Sequence, residues 1–136
     1  MKRFLELIDN SKICYKEKPL QSIDIIKTQK ELVKSGCPFL PSEFIDFLKQ
    51  YNGVMASDSA ILGIPPLENE RLNIVDFNAE YNALPNIAIL GYDDSAFLVY
   101  DNAENKYKLI DRYDGIMLDE YLEDELVYAL NSILHI

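Results

Sequence analysis

The chain has no tryptophan, one histidine, two cysteines and five glycines in 136 residues. Each scarcity removes a class of chemistry. A Ser-His-Asp or Cys-His arrangement would have to use His135, one residue from the end. A residue so placed is poorly held, so the sequence predicts a frayed surface histidine with no catalytic part. Cys14 and Cys37 lie far apart and neither sits in a Cys-x-x-Cys arrangement. Two isolated cysteines and one histidine cannot make a zinc site, and reduced, buried thiols are expected rather than a disulfide. Gly63 and Gly91 stand alone, so no GxxxxGK-type phosphate loop exists. There is also no run of ~18 apolar residues, which excludes a membrane-spanning helix. The opening Met1-Lys2-Arg3-Phe4-Leu5-Glu6-Leu7-Ile8-Asp9 is basic and then apolar, yet Glu6 and Asp9 break it and no small-residue cleavage site follows. It reads as an amphipathic helix, and a cytoplasmic protein is expected.

Positive charge is the other scarcity. Residues 1–35 hold eight Lys or Arg against five acids, and residues 36–136 hold five against eighteen, so the surplus behind the net charge of −10 lies in the second stretch. Nucleic-acid binding needs clustered Lys and Arg, and this surface repels it. The same surface attracts basic proteins and speeds their encounter.

What is present is ample material for a core: 49% hydrophobic residues, with nine Tyr and six Phe. That argues against disorder and for one domain spanning residues 1–136. Lys16-Glu17-Lys18-Pro19 separates the first helix from a second. Ile23, Ile26, Leu32 and Val33 give that second helix a stripe, and Gly36 ends it. Val54-Met55-Ala56 and Ala60-Ile61-Leu62-Gly63-Ile64 are short strands, or a strand and a loop, around Ser57-Asp58-Ser59, and Pro65-Pro66 stops them. Leu72, Val75 and Ala79 favour a short helix within residues 69–82, weakened by Asn73, Asn78 and Asn82. Strands follow at 87–92 and 97–100, a polar turn at 101–105 and a returning strand at 107–111. Leu118, Tyr121, Leu122, Leu126, Ala129, Leu130 and Ile133 predict a final helix over about 118–134, with acids crowding its first half where the helix dipole favours them. The class is α+β: N-terminal helices, a mostly antiparallel sheet, and a C-terminal helix packed on it.

Carboxylates are the only abundant reactive groups. Asp93, Asp94, Asp101, Asp111 and Asp114 sit near strand ends, where paired acids could act as acid and base. Asp is also common at turns simply because it caps them, and little chain remains for a substrate cleft beside the core. An enzyme is therefore not expected. Asp101-Asn102-Ala103-Glu104-Asn105 fails as a calcium loop, with Ala103 at position three and Lys106 at position six. Neither a metal nor a cofactor is expected. Tyr81, Tyr92, Tyr100, Tyr107, Tyr113 and Tyr121 read mainly as core and core-rim packing, a minority offering interface contact. Arg112, in Asp111-Arg112-Tyr113-Asp114, reads as half of an ion pair.

The most structured signal lies at Leu40-Pro41-Ser42-Glu43-Phe44-Ile45-Asp46-Phe47-Leu48-Lys49-Gln50-Tyr51-Asn52-Gly53. Ser42 can accept from the first free amides, Pro41 sets the approach, and Asn52-Gly53 can take a left-handed exit turn. Phe44, Phe47, Leu48 and Tyr51 form one apolar stripe over residues 43–51. This pattern, with Ile61-Leu62-Gly63 soon after, resembles the signature helix of the SUKH superfamily, which takes in the fungal Smi/Knr cell-wall regulators and many bacterial toxin-immunity proteins. The resemblance implies an α+β fold and structural roles for Leu40, Pro41, Phe44, Phe47, Leu48, Tyr51, Asn52, Gly53 and Gly63. It carries over no catalytic residue. It implies a non-catalytic protein-binding module, an immunity protein that neutralises a basic, nuclease-type toxin. The alternative is a regulatory scaffold associated with cell-wall glucan synthesis. On loop location and charge, the partner-facing residues are Asp58, Tyr92, Asp93, Asp94, Asp101 and Glu104.

Overall fold

Short apolar runs broken by Ser, Asp and Asn build a sheet. The computed structural model describes residues 1–11 and 14–135, and of Ser22 and Ile23 the backbone only. Among these residues seven strands form one antiparallel sheet: β1 (Cys14–Lys16), β2 (Val54–Ala56), β3 (Ser59–Ile61), β4 (Ile87–Tyr92), β5 (Ala96–Asp101), β6 (Lys106–Asp111) and β7 (Met117–Leu122). Each strand pairs with the next in chain order. A meander of this kind puts the β2–β3, β4–β5 and β6–β7 turns at one end and the β5–β6 turn at the other.

Five helices accompany it: α1 (Lys2–Asn10), α2 (Ser22–Lys34), α3 (Ser42–Leu48), α4 (Ile74–Tyr81) and α5 (Leu126–Leu134), with 3-10 turns at Glu70–Leu72 and Glu123–Glu125. The fold is α+β, with N-terminal helices and a C-terminal helix packed on the sheet. Phe4 and Ile8 of α1, Phe44, Phe47 and Leu48 of α3, and Leu126, Ala129, Leu130 and Ile133 of α5 share one core with Leu90, Leu98 and Tyr107 of the strands. Phe4 and Phe47 meet with ring centroids 5.8 Å apart, a distance typical of favourable aromatic pairs. No helix among the described residues is long and apolar enough to cross a membrane. Both cysteines are free, Cys37 buried and Cys14 half-buried.

The motif residues hold one crossing of the chain. Pro41, not Ser42, precedes the first helical turn, and Ser42 makes no capping bond. The buried side chain of Asn52 acts like a short piece of strand: Nδ2 donates to the Ile64 carbonyl and Oδ1 accepts from the Ile64 amide, both at 2.7 Å. Gly53 follows at φ +110°, a conformation that side chains resist. Gly63 runs so close to Asn52 that a Cβ would stand 2.3 Å from the Asn52 carbonyl oxygen. Tyr51, half-buried, packs against the core.

Four expectations need correction. A strand, β1, lies between the first two helices, where only a break was expected. On α2, Leu32 is buried but Ile26 and Val33 are exposed, and the side chain of Ile23 lies outside the described residues. The asparagines of residues 69–82 strengthen α4 rather than weaken it. Asn73 caps α4 by accepting from the Val75 and Asp76 amides. The β3–β4 register ends at Gly91, with one further bond from the Leu62 amide to the Leu90 carbonyl, and beyond it Asn78 of α4 and Asn82 just after the helix supply side-chain amides to the β4 edge. Asn78 donates to the Ile89 carbonyl at 3.0 Å and accepts from its amide at 2.8 Å, while Asn82 donates to the Ile87 carbonyl. Finally, residues 117–122 are strand β7, not the first turns of the last helix, so Leu118 and Leu122 are exposed instead of lining its core stripe. Their backbone pairs with β6, and burial on α5 begins at Leu126.

Candidate functional site at the turn end of the sheet

The meander collects acids at the end formed by three turns. Asp58 sits in the β2–β3 turn, after Ser57 at φ +52°. Asp93 and Asp94 form the β4–β5 turn, and the β6–β7 turn carries Arg112, Tyr113 and Asp114. Ser57, Asp58, Asp93, Asp94 and His135 line one depression of about 280 Å³. Asp101, the last residue of β5, and Glu104, in the β5–β6 turn, belong to the opposite end. There both pair with Lys108, Asp101 at 2.9 Å and Glu104 in a close contact. Burial pushes the Asp101 carboxyl up, but the bonds from Lys108 and the Ala103 amide hold it below its ordinary value. The anionic residues predicted to face a partner therefore fall into two groups at opposite ends of the sheet.

Asp93 and Asp94 play different parts. Asp94 is exposed, whereas Asp93 is 7% exposed. Asp93 Oδ1 accepts from the Ser95 amide at 2.9 Å, the Ala96 amide at 2.7 Å and the Ser95 hydroxyl at 3.3 Å, closing the β4–β5 turn. Its Oδ2 stands 2.9 Å from His135 Nε2. Burial raises the Asp93 carboxyl, and these bonds together overcome that and hold it below the ordinary carboxylate value. His135 is thus tethered: it ends α5 in a left-handed conformation, with its amide bonded to the Asn131 carbonyl. His135 is a surface residue as expected, its side chain 66% exposed, but the fold ties it down where chain position predicts fraying. Its partner lies 42 residues away in sequence, and no local pattern signals the pair.

Tyr92 points into a neighbouring aromatic group. Its ring stacks on Phe77 at 4.9 Å and 8°. The Arg112 guanidinium lies 4.9 Å from the centroid of Phe97, 5.7 Å from Tyr92 and 5.8 Å from Tyr81. Nη1 of Arg112 also donates to the Asp93 carbonyl at 2.7 Å. The expected ion pair of Arg112 is replaced, among the described residues, by cation–π contacts and this one bond. Burial raises the Tyr92 hydroxyl, with Arg112 and Arg71 opposing it. Of the other tyrosines, Tyr100 and Tyr107 are core, Tyr121 is half-buried, and Tyr81 and Tyr113 are exposed.

Among the described residues no group of three or more His, Cys, Asp or Glu side chains is placed to hold a metal ion. No protein-family model matches the chain, and no curated protein matches it. The geometry itself divides the acids by what they can do. Asp93 is a brace whose oxygens are already engaged. Asp58 and Asp94 are open carboxylates on short turns, able to meet a cation brought from outside.

Proposed function

We propose that the chain is a non-catalytic, acidic protein-binding module of SUKH type, acting in the cytoplasm as an immunity protein that binds and neutralises a basic, nuclease-type toxin. The observation that carries this reading is the placement of Asp58 and Asp94, exposed on adjacent turns beside the braced Asp93–His135 pair. Acids held on short turns of a rigid sheet lose little conformational entropy when a cationic surface docks. They also steer such a surface inward, since a nuclease must be basic where it holds phosphates. The resemblance of residues 40–53 to the SUKH signature helix supports the same reading, because its residues serve the scaffold and leave the turns free to vary.

Co-expression with the toxin domain encoded beside this chain tests the proposal. Growth is restored by the native protein and lost again when Asp58 and Asp94 are both changed to Lys, with folding verified by circular dichroism. No rescue by the native protein, or a stable housekeeping partner recovered in place of a toxin, overturns it.

A further inference from the structure

We propose that β7 is a docking strand, whose free edge takes up an extended, basic segment of a partner protein as an eighth strand of the sheet. The inference rests on the binding-module reading and adds a second contact, separate from the Asp58 and Asp94 turns.

β7 closes one side of the sheet and pairs, among the described residues, with β6 alone. At six residues it is twice the length of β1 at the other edge. Exposed edges are blunted by charged side chains, proline or bulges; Met117-Leu118-Asp119-Glu120-Tyr121-Leu122 has no lysine or proline, and its two charges are both acidic. Ile116, Met117, Leu118 and Leu122 are each more than half exposed. The register slips at Leu118, opposite the step from Leu109 to Ile110, so the regular part of the edge runs from Asp119 to Leu122.

Two amides in that stretch show how the edge is kept. In an antiparallel ladder every second residue turns its amide away from the neighbouring strand. The Glu120 amide donates to Asp119 Oδ1 and the Leu122 amide to Glu125 Oε1, each at 2.8 Å. Two carboxylates of the chain thus occupy donors that an added strand would need. An incoming strand takes those amides with its own carbonyls and releases both carboxylates. If it carries Lys or Arg, its cations pair with them as they leave. If it is neutral, the freed carboxylates return to water and nothing is gained, and if it is acidic they meet like charge across the new pair. The capping therefore selects for a basic strand.

The surrounding charge points the same way. Residues 113–135 contain no Lys or Arg and six acids, Asp114, Asp119, Glu120, Glu123, Asp124 and Glu125. Glu120 has Lys106 of β6 at 3.5 Å, and no described ion pair engages the other five. A second copy of this chain is the wrong occupant, because two such edges would set like charges opposite each other.

The test uses the whole chain and a ten-residue peptide alternating valine and lysine, followed by fluorescence anisotropy and amide hydrogen exchange. A copy N-methylated at alternate backbone nitrogens has the same charge and cannot pair as a strand. The native peptide is expected to bind, to protect the Glu120 and Leu122 amides, and to exceed its methylated copy by at least about tenfold, as the loss of about two ladder bonds implies. Glu120→Pro removes an outward amide, which edge strands tolerate, and abolishes the protection at Leu122, whereas Glu120→Gln retains protection at both positions. Equal affinity of the methylated copy, protection at the Asp58 and Asp94 turns in place of β7, or no binding overturns the inference. Failure here with toxin rescue intact removes only the docking strand. Docking without rescue removes the immunity role and leaves the edge.

Discussion

Asn52 and Ile64 exchange two hydrogen bonds of 2.7 Å between one side-chain amide and one backbone unit, inside the protein where neither can turn to water. Truncating Asn52 to Ala leaves the Ile64 amide and carbonyl buried without these partners. Each stranded group costs about 1–3 kcal/mol, so Asn52→Ala is expected to lower the unfolding free energy by about 2–4 kcal/mol. Urea denaturation with an unchanged slope reads this directly. A loss below about 0.5 kcal/mol, the range of an ordinary surface substitution, would show that the clamp does not hold the fold.

Gly63 is the other half of that crossing. Its amide donates to the Leu72 carbonyl at 2.7 Å, and its carbonyl accepts from the Ile74 amide at 2.9 Å. Backbone is therefore fixed on one side and Asn52 stands on the other. In Gly63→Ala the new methyl would meet the Asn52 carbonyl oxygen at 2.3 Å and its carbon at 2.7 Å. Those are main-chain atoms that no rotamer change can move. The expected loss is about 3 kcal/mol or more, seen as a lower thermal midpoint. Adding Asn52→Ala should give no rescue, because the obstructing carbonyl remains.

These two residues also mark what could be read from the sequence. The helix at α3 and the strands β4, β5 and β6 are legible because their signals are local: a stripe at helical spacing, and apolar runs ended by turn residues. Residues 117–122 mislead because β7 is an edge strand exposed on nearly every residue. It needs no alternating pattern, while Leu118, Tyr121 and Leu122 happen to continue the spacing of α5. The polar braces are illegible for a different reason. Glu17, buried, accepts from the Glu68 and Asn69 amides about fifty residues away. Asn78, Asn82 and the Asp93–His135 pair likewise depend on contacts that only the finished fold creates. At the candidate site, loop location was enough to bring Asp58, Asp93 and Asp94 together. It could not separate them from Asp101 and Glu104, which the strand directions send to the other end.

Asp93 predicts an acid-side pH dependence. Its folded carboxyl titrates below the ordinary value of 3.8, so the native state binds the proton less readily than the unfolded chain. Its contribution to stability is then complete above about pH 4 and is lost as the pH falls through the folded value. Asp93→Asn keeps the shape but weakens the bonds accepted from Ser95, Ala96 and His135. It is expected to cost about 1–2 kcal/mol at pH 7 and to flatten the acid limb of the stability curve. His135→Ala removes one of the opposing bonds and should move that limb toward higher pH. Thermal unfolding of the three proteins from pH 7 down to about pH 3 separates these outcomes, and parallel curves for native and Asp93→Asn protein would refute the assignment.

Arg112 predicts a local effect in place of a global one. Its guanidinium spans the rings of Phe97, Tyr92 and Tyr81, and it holds the Asp93 carbonyl, so one side chain ties the β6–β7 turn to the β4–β5 turn. The Arg112 amide reinforces the tie by donating to the Ser95 carbonyl at 3.0 Å. Arg112→Lys keeps the charge but loses the flat face that lies on the rings. It should therefore recover less than half of the loss in Arg112→Ala, itself about 1–2 kcal/mol for a partly buried cation on aromatic faces. Hydrogen exchange should quicken over residues 93–96 and 112–116 in both variants and stay unchanged in α1 and α3. A lysine variant as stable as the native protein would mean that charge alone holds the turns, and that the aromatic rings under Arg112 are neighbours without a share in the bond.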